Sequence, residues 1–253
     1  MPNRLPTYKV VNLMLTKISV EIKNNPIKAG IELKSTLTGT NATDIDQVVI
    51  KRQTFGTYTW ETIYQLDISD TSDLEFDLLD ILAVGGEKYN YSIDLMSGGG
   101  RVESQVFDVE EECWFEGMLI GNFETQYLAP LDWQVDHNRN TTVEYVTTLA
   151  GRTPYRVSNS ENNYDTGNAS GLFMPIVDGR PSPEYNHAYH KEVIDFLSDG
   201  TEKILKTSDG QIWCISVDDS ISVPFDDRYK GRNMIEFSWT EIGDVPPFGM
   251  VKL

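Results

Sequence analysis

Between Ile27 and Phe107 the apolar residues recur at every second position in short runs, and turn-forming residues separate the runs. Successive side chains of an extended chain point to opposite faces, so this period gives each run one face to bury and one to wet. Ile31, Leu33 and Leu37 form one such face, Val48 and Ile50 a second, and Trp60, Thr62, Tyr64 and Leu66 a third. Leu74, Phe76 and Leu78 follow, then Tyr89, Tyr91, Ile93 and Leu95, and Gly98 to Gly100 turn the chain into a last strand. The pattern predicts roughly seven short strands in about 80 residues, the signature of a sheet-on-sheet core.

That strand count predicts an immunoglobulin-like sandwich over 27–109, preceded by an N-terminal arm over 1–26. The segment LAVGGEKYNY sharpens the expectation. It resembles the approach to the sixth strand of fibronectin type III domains, where a tyrosine bonds back to upstream backbone, and the resemblance gives Tyr89 that role. The tryptophan usual in the second strand is absent, and residues such as Leu33 and Leu37 stand in its place.

Three consecutive glutamates in DVEEE, residues 108–112, read as a solvated connector, so a second domain is expected over 113–253. CWFEGMLIGNF, TTVEYVTTL, RTPYRVS and GLFMPIV read as further strands, and SNSENNYDTGNAS as a loop. One helix is predicted, over 187–199: Tyr189, Val193, Phe196 and Leu197 make one apolar stripe, and Gly200 supplies the C-terminal cap. EKILKTSDGQIWCISV then reads as a hairpin on an Asp209-Gly210 turn, because Asp-Gly reaches positive φ at low cost. A polar loop from Asp218 to Gly231 leads to an alternating strand with Ile235, Phe237 and Trp239 on one face.

Charge narrows the partners. Lys and Arg number 21 against 39 Asp and Glu, a formal net charge of -18, which repels phosphate backbones and argues against a nucleic-acid partner. Such charge keeps a subunit soluble before it assembles. Lys9, Asn12 and Lys17 interrupt the apolar residues of the N-terminus, and no apolar run approaches the ~20 residues that span a bilayer, so neither a signal peptide nor membrane insertion is expected.

Reactive constellations are sparse. His187 and His190, with Glu184 nearby, lack a further metal ligand at a recognisable spacing and read as the polar face of the helix. Asp218, Asp219, Asp226 and Asp227 crowd one loop without the spaced order of a calcium site, in a chain where carboxylates meet by chance. Cys113 has His137 and His187 as imaginable bases, but its neighbours Trp114 and Phe115 make it a core residue. LMSGGGRV lacks the lysine of a phosphate cradle and reads as a turn. The sequons at Asn41, Asn140 and Asn168 read as chance. Trp213 and Trp239 read as core; Trp60, Trp114 and Trp133 remain as stacking platforms for a sugar, Trp133 foremost. Neither a catalytic centre, a metal nor a cofactor is predicted.

The order of helix, EKILKTSDGQIWCISV, polar loop and MIEFSWTEIGD resembles the C-terminal region of tail and baseplate structural proteins in phages of Gram-positive bacteria. The matching residues are Asp199 and Gly200, Lys203 to Lys206, Asp209, Gly210, Trp213, and Phe237 to Asp244; with the preceding strand and loop the resemblance runs from about Gly151 to Asp244. It implies a barrel-like second domain and a structural virion protein of the tail tip or baseplate, assembled in the host cytoplasm. It also implies a homo-oligomer such as a ring, with other phage tail proteins as neighbours and no enzymatic activity. A carbohydrate- or receptor-binding module of the virion, taking a cell-surface glycan, is the alternative. Phe225 and Tyr229, set between charges that include Asp226 and Asp227, are the expected contact element.

Overall fold

The computed structural model describes residues 17–39, 44–108, 112–147, 152–182, 184, 186–224, 234–246 and 249–253. The chain is mainly β with a single α-helix among these residues. Its N-terminal strands are β1 (Lys17–Asn25), β2 (Gly30–Thr38), β3 (Gln47–Thr54), β4 (Glu61–Asp67), β5 (Glu75–Asp80), β6 (Tyr89–Ser97) and β7 (Gly100–Asp108). The second unit contains β8 (Met118–Gly121), β9 (Gln126–Ala129), β10 (Leu131–Val146), β11 (Tyr155–Leu172), β12 (Ile176–Val177), β13 (Arg180–Pro181), α1 (His187–Leu197), β14 (Lys203–Thr207), β15 (Ile212–Ser222) and β16 (Met234–Gly243). A last strand, β17 (Met250–Lys252), ends the chain.

Two four-stranded antiparallel sheets, β1-β2-β5-β17 and β4-β3-β6-β7, enclose the first core. Ile31, Leu33, Phe76 and Leu78 from one sheet meet Val48, Ile50, Tyr91, Ile93 and Leu95 from the other, all buried. The alternation read from the sequence is therefore the inward face of each strand. One local exception is instructive: Ile50 pairs with Tyr64 but Lys51 pairs with Thr62, so a bulge turns the intervening Ile63 fully into the core. Gly98 and Gly99, with φ of 58° and 75°, close β6 into β7 as the paired positive angles of a tight hairpin require.

A buried ion pair ties the two sheets together. Arg52 on β3 donates to both carboxylate oxygens of Asp80 on β5 at 3.1 Å, and the Tyr91 hydroxyl donates to the same carboxylate at 2.8 Å. Burial opposes the charge on Arg52, yet Asp80 outweighs it and holds the guanidinium proton above its ordinary range. Nearby, the Tyr89 hydroxyl accepts the Val84 N–H at 2.8 Å, the backbone contact expected of this tyrosine.

Both ends of the sandwich differ from the expected boundaries. Residues 17–25 of the expected arm form β1, paired with β2 from Lys17↔Thr38 to Asn25↔Gly30, because Ile18, Val20 and Ile22 carry the same period of two onto the first core. The C-terminus returns to the sandwich instead of ending in the second unit: Met250 pairs with Asp80, Lys252 with Leu78, and Met250 is buried in the first core.

The second unit is a seven-stranded sheet in the order β10-β11-β16-β15-β14-β8-β9, with β10 and β9 as its outer strands. No strand pairing joins those two among the described residues, so the barrel-like expectation resolves into an open, twisted sheet. Helix α1 lies on one face, capped by the Asn186 side chain, which accepts the Ala188 and Tyr189 N–H groups. Val193 and Leu197 enter a core with Trp213, Ile235, Phe237 and Trp239. The helix ends at Leu197, two residues short of the predicted end, and Gly200 follows at φ 73°.

The polar run 158–170, expected as a loop, lies inside β11. Within it Thr166 and Asn168 bond across the sheet, to Asn140 and Ser238. Gly167 serves a closer approach, since a Cβ there would stand 1.8 Å from the Asp136 carbonyl oxygen.

Candidate assembly surface

β10 and β11 are 16 and 18 residues long, far more than the sheet needs. β16 accompanies β11 only from Thr166 to Leu172, which face Asn138 to Leu131 on β10. From Arg139 to Val146 the hairpin therefore runs on as two strands without a third beside them among the described residues. At about 3.4 Å per residue this arm reaches roughly 27 Å beyond the sheet.

A two-stranded ribbon has little core of its own, and its apolar residues stay in water unless a partner covers them. Tyr145 and Tyr155 are 67% and 66% exposed, and Val146 and Val157 are exposed beside them. Val146 pairs with Tyr155 and Glu144 with Val157, which places Val146, Tyr155 and Val157 on one side of the ribbon; the Tyr145–Arg156 pair lies on the other. β10 is also an outer strand, so its free edge can accept another strand.

The root of the arm is braced. Arg139 forks onto the buried Asp165, with Nη2 to Oδ2 at 2.9 Å; the Trp213 Nε1–H donates to the same carboxylate at 3.1 Å, and Glu241 accepts the Asp165 N–H at 2.7 Å. The Arg139 hydrogen bond, against the opposing effect of burial and helped by Trp213, holds Asp165 below the usual carboxylate range.

At the base of the same hairpin the outer face of the sheet is made of short polar side chains. Gln134, Ser170, Glu236 and Ser222 form one cross-strand row, and Asp136, Asn168 and Ser238 the next. Ser238 donates to Asn168 at 2.8 Å, Ser222 donates to Glu236 at 3.3 Å, and Asp136 accepts the Asn168 N–H at 2.6 Å. They line a shallow depression of about 320 Å³ that holds no lysine or arginine.

The residues singled out from the sequence scatter. Phe225, Asp226, Asp227 and Tyr229 lie outside the described residues. His187 and His190 fall in the first turn of α1, and no group of three His, Cys, Asp or Glu side chains among the described residues is placed to hold a metal ion. Cys113 is buried in the first core, its thiol pushed up to about 11 by burial, whereas His137 lies against Trp213 in the second unit; the structure does not bring them together. Asn140 and Asn168 face neighbouring strands, with Asn140 donating to Thr166. Trp213 and Trp239 are core, Trp133 packs against that core, and Trp114 is the exposed ring, at 52%.

Two lysines are buried that no sequence pattern singled out. Lys203 donates to Asp199 at 2.5 Å and lies over the Phe196 ring. Lys206 crosses between the units, donating to the carbonyls of Ala29, Ile81 and Ala83 at 2.6, 2.8 and 2.5 Å.

Fold and surface together define a β protein of two sheet systems, bridged by Lys206 and β17, with a protruding two-stranded arm. No protein family and no curated protein matches the chain. Among solved structures, a chain in the virion of a native gene transfer agent particle is similar at 14% identity and a TM-score of 0.30, over 54% of this chain and 95% of that one. No helix among the described residues is long and apolar enough to cross a membrane.

Proposed function

We propose that this chain is a non-enzymatic structural protein of a virion, placed at a bacteriophage tail tip or baseplate ring and acting by self-association and contacts with other tail proteins. The observation that carries the reading is the unsupported β10–β11 arm with its exposed tyrosines and valines. The motif resemblance over Gly151 to Asp244 supplies the phage tail. The sandwich is then an accessory domain of the fibronectin type III class, a reading supported by its two four-stranded sheets and the Tyr89 contact. The segment with Phe225, Asp226, Asp227 and Tyr229 is a second contact element, tested by charge reversal at the aspartates and alanine at the aromatics. Electron microscopy and light scattering of the full chain test the whole: closed oligomers are expected, and a monomer at every concentration overturns the reading. A glycan- or receptor-binding role is the second reading, favoured by exposed Trp114; glycan-array binding abolished by Trp114→Ala would select it.

A further inference from the structure

The β10–β11 hairpin carries opposite characters at its two ends. On a chain of net charge -18, the tip bears Arg152 and Arg156, both exposed, against the single carboxylate Glu144 between 141 and 157. The base presents the depression of about 320 Å³, with exposed Asp136 and Glu236 among serines, and exposed Asp218 lies just beyond it beside Thr240. Tyr145 and Arg156 are paired on one side of the ribbon, so a phenol and a guanidinium project together.

The geometry points to a head-to-tail contact in which the arm of one copy seats its Tyr145 and Arg156 side on the outer sheet face of a second copy. The inference rests on the self-association reading and names the surface that receives the arm. Three arguments select this occupant. Long donor side chains at the tip meet a face whose serines leave room and whose Glu236 and Asp218 offer acceptors suited to guanidinium. Like-with-like pairing is repulsive in both other arrangements, arginine against arginine at the tips and carboxylate against carboxylate on the faces. The arm also continues the same two strands that form the face and runs away from it, with one register shift between Thr141 and Thr142, so its tip is carried away from its own base. A contact between two different patches is heterologous, and copies joined this way form a ring if the rotation closes and a filament if it does not.

Charge exchange in the full-length chain tests the contact. The arm variant Arg152→Glu with Arg156→Glu and the face variant Asp218→Lys with Glu236→Lys are each compared with the natural chain by sedimentation velocity in low and high salt. Unfolding curves establish that both variants fold. Each is expected to self-associate at least tenfold more weakly, while the reversed arm and the reversed face, mixed in equal amounts, associate with each other. Glu236→Gln should give an intermediate loss. If the natural chain assembles and both variants assemble equally well, or if the folded variants fail to associate when mixed, this contact is wrong and self-association stands. If the natural chain is monomeric at all concentrations, both readings fall.

Discussion

Replacing Lys206 by methionine removes an ammonium from a closed site while keeping most of the side-chain volume. In the native chain that ammonium is fully buried and its donors are taken by the carbonyls of Ala29, Ile81 and Ala83, all in the sandwich. The carbonyls of Ala29 and Ile81 lose their ammonium donor and that of Ala83 keeps only the weak Cys113 thiol at 3.7 Å, a loss of about 1–3 kcal/mol each and roughly 6 kcal/mol together. Against this stands the cost of burying the charge. Burial pushes Lys206 from its ordinary 10.5 down to about 8, with Asp80 and Cys113 opposing the fall and Arg52 adding to it. At about 1.4 kcal/mol per pH unit the cost is roughly 3 kcal/mol near neutrality. The variant should therefore be about 3 kcal/mol less stable at pH 7, read as a lower urea midpoint. The sign with pH follows from protons bound: between about 8 and 10.5 the unfolded chain keeps the proton that the folded chain releases, so the native protein gains stability relative to the variant as pH rises. The gap should approach roughly 6 kcal/mol near pH 10.5. A variant as stable as the native chain at pH 7 would refute the joint, and a gap that does not widen would show that the ammonium keeps its proton.

Tyr89→Phe leaves the Val84 N–H without its acceptor and should cost about 1–2 kcal/mol in chemical denaturation, with no change in oligomeric state. The folded-state pKa of Asp165 is depressed, so its contribution to stability is present above the ordinary carboxylate range and lost as pH falls through the lower folded value. Asp165→Asn should therefore flatten the acid limb of a stability profile measured between pH 2 and 6; an unchanged limb would mean that the Arg139 fork adds nothing.

What the sequence made legible was the part governed by local alternation. Tyr89, Tyr91, Ile93 and Leu95 share a face in the sequence and in the core, and the Asp209-Gly210 turn stands where it was expected, with Gly210 at φ 95°. The failures share a cause, which is that burial is decided by distant chain. The run 158–170 looks like a loop because it is rich in Ser, Asn, Asp and Gly, yet its backbone is paired on both sides from Thr166 onward. Nothing local in KILK marks its lysines as buried, but β14 is covered on both faces, and the groups that satisfy Lys206 lie 177, 125 and 123 positions away. The arm did leave a signal. TTVEYV and YRV each alternate, and their pairing as one hairpin would have shown more alternating length than a single sheet can cover.

The joint and the arm bear on each other through rigidity. A contact made at the end of a lever some 27 Å long sets the partner's orientation only if the root does not bend. Here the root is fixed by the Arg139–Asp165–Trp213 network and by the close approach at Gly167. The sandwich is fixed to the same sheet by more than a connector. The last strand returns to pair with β5, Lys206 bonds to three sandwich carbonyls, and Gly85 passes so near Ser208 that a Cβ would stand 2.9 Å from its carbonyl oxygen. Such an arrangement leaves little conformational entropy to lose when copies join, so a modest contact area at the arm can suffice for association. It also predicts that Lys206→Met, although far from the arm, broadens the orientations of the sandwich in any assembled particle while leaving the number of copies unchanged. Image classes that stay equally sharp for the sandwich would show that β17 alone holds the joint.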